Sequence, residues 1–157
     1  MFGKWAILVS AALAACVPVQ PESKAVDKTF EPIKIACTGR DGWSDAAPPA
    51  HVFGNTYMVG TCGITALLIV TPEGHFLIDG ATDEAAEGIA ANIRELGFDP
   101  TDVRTLLITH EHLDHAGGIA KLKQITGAKF VVRDASKMLI KKEVRLRENM
   151  ASLRFRP

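Results

Sequence analysis

The feature that most constrains this chain is a short apolar run that stops on a cluster of ligating side chains. Residues 103–109 read Val-Arg-Thr-Leu-Leu-Ile-Thr, and such a run reads as a buried strand. His110-Glu111-His112-Leu113-Asp114-His115 follows at once, and then Ala116-Gly117-Gly118. Ligating residues at the C-terminal end of a buried strand sit where α/β proteins usually build their sites.

The rest of the pattern supplies a scaffold around that strand. Thr56–Val59 and Thr65–Thr71 are β-branched and apolar, Pro72-Glu73-Gly74 is a turn, and His75–Ile78 is the return strand. Thr82 or Asp83 is placed to cap the next helix, with Ala85, Ile89, Ile93 and Leu96 at helical spacing and Gly97 as its C-terminal cap. After the cluster, residues 119–125 predict a short helix, and Lys129–Val132 another strand. Gly39–Pro49 is expected to be loop, rich in Gly, Asp and Pro. Strands and helices therefore alternate after an initial β-meander, an α/β arrangement with no internal repeat.

The cluster suits a divalent metal. Imidazole and carboxylate both suit zinc, and a catalytic zinc takes about three protein ligands and leaves one position to water. His110 and His112 are two apart, so extended backbone projects both side chains to the same side. Asp114 and His115 follow in a turn and are placed to reach a second ion. Two ions so held share a water, lower its pKa and polarise a carbonyl or phosphoryl centre, so the expected reaction class is hydrolysis. Gly117 and Gly118 are expected to let the backbone turn tightly beneath the metals. The cluster is not the His-Glu-x-x-His zinc motif, because the residue four after His110 is Asp114. His51 and His75 stand alone and are expected in solvent-exposed loops.

His-x-His-x-Asp-His resembles the signature of the metallo-β-lactamase superfamily, and the resemblance runs from about Cys37 to Asp134. Trp43–Gly63, which includes Gly54-Asn55-Thr56-Tyr57 and runs into Val59-Gly60-Thr61-Cys62-Gly63-Ile64, is similar to the subclass B3 enzymes in particular. So are Thr71–Gly80 and Leu96-Gly97-Phe98. The resemblance implies the N-terminal half of an αββα sandwich, two sheets covered by helices, with two zinc ions as cofactor and a β-lactam as small-molecule substrate. It assigns His110 and His112 to the first ion and Asp114 and His115 to the second, with Asp114 also orienting the attacking water and Asp79 standing behind the ligands. Subclass B1 enzymes carry Arg where this chain has His115. The resemblance also pairs Cys37 with Cys62, closing a loop for which chain entropy gives about 3 kcal/mol; two buried free thiols are the alternative. The loop at Trp43 is placed at the site mouth, where the indole either touches substrate or packs the loop onto the sheet. Thioester hydrolases of the glyoxalase II type and lactone hydrolases share the same motif, so the motif alone does not choose among these substrates.

The two ends of the chain read differently. Lys4 followed by the apolar stretch Trp5–Ala15 is a leader too short to span a bilayer. Leu13-Ala14-Ala15-Cys16 resembles a bacterial lipobox, making Cys16 the lipid-bearing first residue of an exported, periplasmic, outer-membrane lipoprotein. Cleavage of an ordinary signal at Ala12-Leu13-Ala14 is the alternative. Residues 16–36 are expected to be a tether and 37–136 the folded domain. The stretch 137–157 carries Lys137, Lys141, Lys142, Arg145, Arg147, Arg154 and Arg156 against Glu143 and Glu148, although Lys plus Arg and Asp plus Glu balance at 18 each overall. A basic amphipathic helix, a solvated helix face and a shifted reading frame are the three explanations of that tail. No His follows His115, whereas the family draws one more ligand for each ion from its C-terminal half, so little or no activity is expected of this chain alone. A membrane-tethered fragment without catalysis is the non-enzyme reading. Nothing in the composition supports nucleic-acid binding, and no obligate protein partner is expected.

Overall fold

A computed structural model describes residues 30–132 and Asp134. The leader with Cys16, the tether up to residue 29 and the basic tail from Lys137 lie outside the described residues. Among the described residues, no helix is long and apolar enough to cross a membrane.

Six strands form one sheet in the order of the chain: β1 Ala50–Phe53, β2 Thr56–Met58, β3 Leu67–Ile69, β4 His75–Ile78, β5 Val103–Leu107 and β6 Lys129–Phe130. β1 to β4 are an antiparallel meander, while β4, β5 and β6 run parallel. Parallel neighbours need crossovers. One is helix α2 (Ala86–Glu95), and the other holds α3 (Leu113–Ala116) and α4 (Ile119–Thr126). This is the mixed α/β architecture that the alternating pattern predicts.

The register explains the core. Tyr57, Leu68, Leu77, Leu106 and Phe130 lie side by side across β2 to β6. The first four are buried beneath Ile89 and Ile93 of α2 and Leu122 of α4, all in one apolar cluster. Val103 and Leu106 both reach this face, despite their odd spacing, because the β4–β5 register shifts between His75 and Phe76.

Four expectations need correction. β1 was not anticipated: it turns into β2 through Gly54, whose φ of +56° suits glycine. A short helix, α1 (Glu31–Cys37), occupies the end of the stretch expected to be tether. α2 starts at Ala86 rather than beside Thr82 or Asp83, and its N-cap Ala85 offers no capping side chain. Thr82 is buried instead, with Oγ1 2.6 Å from Ser44 Oγ. His75 is buried within β4, edge-on to Phe98 at 5.5 Å, with Nδ1 accepting from the Thr71 amide at 3.3 Å. His51 is likewise in a strand, β1, not a free loop, with Nε2 2.8 Å from the Gly54 carbonyl.

The C-terminal end of α2 is as expected. Gly97 has φ +89°; its amide donates to Arg94 O and that of Phe98 to Ile93 O, closing the helix. Phe98 then packs edge-on against Tyr57 at 5.3 Å. The Cys37–Cys62 disulfide is formed, with Cα atoms 5.3 Å apart, and it fastens α1 to the loop after β2.

Candidate metal centre

β4 and β5 are parallel, so their C-terminal ends open on one edge of the sheet. The chain leaves β4 through Asp79-Gly80-Ala81 and leaves β5 through Thr109 into the His110–His115 segment. The two exits are stitched together. Asp79 N donates to Leu107 O at 2.9 Å, Gly80 N to His115 O at 2.8 Å, and Gly118 N to Ala81 O at 3.0 Å. Asp79 and Ala81 hold positive φ angles of 64° and 49°. Asp tolerates that region better than most residues, and Ala does not, so this turn stores strain beside the site.

The strain aims one carboxylate inward. Asp79 is 4% exposed. Its Oδ1 accepts from Thr109 N at 2.7 Å and its Oδ2 from Thr109 Oγ1 at 2.8 Å. His115 Nδ1 lies 3.0 Å from the same Oδ2. Thr109 Oγ1 is also 3.1 Å from His110 Nδ1.

In front of that carboxylate the ligating atoms converge. One ligand atom each from His110, His112 and Asp114 lies within 4.8 Å of the others. The His110 ring stands 4.7 Å from that of His112 and 4.1 Å from that of His115. His112 is exposed, and His110, Asp114 and His115 are half-buried, so the cluster opens to solvent. His115 Nε2 is 3.4 Å from Asp114 Oδ2. His115 therefore sits between two carboxylates, with Nδ1 on Asp79 and Nε2 toward Asp114. His110, His112 and Asp114 fit zinc by donor type and by convergence, and His115 stands against them.

Gly117 and Gly118 matter for a different reason from the one expected. Their φ angles are −59° and −81°, open to any residue. A Cβ on Gly118 would stand 2.2 Å from Gly80 O and 2.7 Å from Thr82 O, and one on Gly117 2.5 Å from Leu113 O. The glycines give clearance between the motif segment and the Asp79 turn, so the ligands can sit over their supporting carboxylate.

The loop carrying Trp43 is tied to the same turn. Ser44 Oγ meets Thr82 Oγ1, Thr61 Oγ1 donates to Trp43 O at 3.0 Å, and Ala46 bridges Thr61. The indole is 54% exposed, so these polar bonds anchor the loop more than the Trp43 ring does. Asn92, buried on α2, donates from Nδ2 to Ala47 O at 3.0 Å and to Val59 O at 2.9 Å. Neither Thr109 nor Asn92 is evident from the sequence pattern. Thr109 reads as the last residue of a strand, and the partners of Asn92 are 33 and 45 positions away.

Known proteins share this arrangement. The model of the Metallo-beta-lactamase superfamily matches residues 59–154. The crystal structure of the metallo-β-lactamase MIM-1 from Novosphingobium pentaromativorans is 54% identical, with a TM-score of 0.61, over 62% of this chain and 37% of that one. MEM-A1, a subclass B3 metallo-β-lactamase from a soil metagenome library, is 46% identical, with a TM-score of 0.61, over 62% and 37%. The N-acyl homoserine lactonase AttM of Azorhizobium caulinodans is 35% identical over 81 residues, 38% of this chain and 31% of the relative. The match thus spans 31–37% of the length of these proteins. The family match holds both exits that form the site, Asp79 to Ala81 and Thr109 to Gly118, and on that footing the chain belongs to the metallo-β-lactamase superfamily.

Proposed function

We propose that this metal centre serves the zinc-dependent opening of a β-lactam ring. The carrying observation is the convergence of His110, His112 and Asp114 at the end of β5, in a chain whose solved neighbours are metallo-β-lactamases, a subclass B3 enzyme among them. His110 and His112 are assigned to one ion, and Asp114 and His115 to the other. Zinc bound there supplies a polarised carbonyl and a water of lowered pKa. Asp79 holds the His115 ring by Nδ1 and keeps Nε2 turned toward Asp114. Asp114 presents a carboxylate at the open side, where it can orient the attacking water by accepting one of its protons. Trp43 offers an exposed aromatic face on a loop fastened to the Asp79 turn, a surface for the apolar parts of a substrate.

A lactone is the second reading, favoured by the likeness to the lactonase. Both substrates present a cyclic acyl carbonyl, so the donor set serves either. Export is part of the proposal, with Cys16 as the lipid-bearing residue and the periplasm as destination. The Cys37–Cys62 disulfide supports an oxidising compartment.

The test is zinc binding by chelator competition, together with turnover of a carbapenem, a penicillin, an N-acyl homoserine lactone and a glutathione thioester. Zinc binding is expected, and His112→Ala should weaken it at least tenfold. Any turnover should favour the β-lactams at least tenfold over the lactone. Preference for the lactone overturns the β-lactam reading. Zinc binding without turnover of any substrate moves the chain to the non-catalytic reading.

A further inference from the structure

Thr109 lies between the buried carboxylate and the first ligand, and proton counting decides what it does there. A hydroxyl has one proton to give. As a carboxylate, Asp79 can only accept, and its Oδ2 is 2.8 Å from Thr109 Oγ1, so the proton points there. The bond to His110 at 3.1 Å must then run the other way, from Nδ1–H to the Thr109 oxygen. His110 is left with a lone pair on Nε2. The same Oδ2 takes Nδ1–H of His115 at 3.0 Å, so Nε2 is the nitrogen of that ring that faces Asp114.

We propose that Thr109 is a positioning residue: through its hydroxyl, one buried carboxylate fixes the ring tautomer of a histidine assigned to each of the two metal positions. Asp79 acts on His115 directly and on His110 through Thr109. Both rings thereby hold a proton on Nδ1 before any metal arrives, which lowers the ordering cost of binding it. The inference rests on the metal-centre reading for its purpose, but not for its geometry.

The side chains can be separated experimentally. Thr109 is exposed, and its amide bond to Asp79 Oδ1 survives any side chain, so Thr109→Val removes the hydroxyl without opening the core. In metal-free protein with 15N-labelled histidine, two-bond 15N–1H correlations report each tautomer. His110 and His115 are both expected as Nδ1–H. Thr109→Val should release His110 toward Nε2–H and leave His115 unchanged, and Thr109→Ser should restore the parent pattern.

Asp79→Asn gives a second, opposite signature. The Thr109 amide needs an oxygen at the Oδ1 position, so the new NH2 group must occupy the Oδ2 position. It would then donate to Thr109 and to His115, reversing both bonds and driving both rings to Nε2–H. Zinc affinity by chelator competition should fall about tenfold in Thr109→Val and recover in Thr109→Ser. Retention of Nδ1–H on His110 in Thr109→Val, or a Thr109→Ser protein that behaves like it, overturns the proposal. Should Thr109→Val fail to fold, a His110 signal unmoved in Asp79→Asn overturns it equally. If the parent chain holds no zinc, the metal-centre reading fails while the tautomer result stands.

Discussion

Asn92 shows how much of the site wall depends on one amide. Its two Nδ2 protons serve Ala47 O and Val59 O, tying α2 to the loop that follows Trp43 and to the end of β2. Removing the side chain strands two carbonyls in a buried place, and an unmet buried acceptor costs about 1–3 kcal/mol. Asn92→Ala is therefore expected to lower stability by about 3 kcal/mol, read as a drop in the denaturation midpoint, with faster hydrogen exchange in the 43–47 loop. Asn92→Asp should be at least as damaging, because a carboxylate cannot donate to either carbonyl. A fall of under 0.5 kcal/mol would show that the loop holds without it. The cluster was legible from the sequence, because its four side chains lie within six consecutive positions and local spacing is what a sequence displays. Asp79 was reached through family resemblance alone. Thr109 and Asn92 were not reached, since a polar residue with distant partners leaves no periodic trace. His75 was misread as exposed, although its alternation with Leu77 places both on the helix-covered face of β4.

Among the elements, the helix ends show where local chemistry decides and where tertiary contact overrides it. Gly97 and Gly127 both close helices with positive φ, as glycine after a periodic run predicts. The start of α2 was misplaced because the hydroxyl of Thr82, free to cap in isolation, is engaged by Ser44. β1 was missed because its burial fades from Ala50 to Phe53 without alternation. The turn after α2 is a local case: Asp99 caps the 3-10 turn Pro100–Asp102. Hydrogen bonds from the Thr101 amide, first, and the Thr101 hydroxyl hold the Asp99 carboxyl below its ordinary value of 3.8. A depressed folded-state pKa means that this stabilisation is complete above the ordinary value and is lost as pH falls through the lower, folded one. The thermal midpoint of the parent chain should exceed that of Asp99→Ala by a constant margin from pH 7 to pH 5. The margin should shrink below about pH 4. A margin that shrinks already between pH 7 and pH 5 would point to another group.

Taken whole, the molecule presents a sheet whose two faces differ. One carries Tyr57, Leu68, Leu77 and Leu106 beneath the helices. The other carries Leu67, Ile69, Phe76, Ile78 and Leu107, of which Phe76 is 39% exposed and the rest are half-buried. The sequence pattern foretold a sheet covered by helices. The register defines the second face by aligning Phe76 with Ile69 and Ile78 with Leu67 and Leu107. A row of partly exposed apolar side chains across several strands favours association. The chain is therefore expected to bind a hydrophobic dye and to sediment as a concentration-dependent mixture at tens of micromolar. Phe76→Thr puts a β-branched residue in the strand and removes the most exposed ring of that face within β3–β5. It should lower both dye binding and self-association, with stability changed by about 0.5 kcal/mol or less, as for other surface substitutions. Because the proposed ligands sit at the strand ends and not on this face, zinc affinity should stay within twofold. If zinc affinity falls along with association, the two are coupled, and the centre takes its shape from contact between copies. If association persists unchanged, the exposed row in β3–β5 is not the surface through which the chains meet.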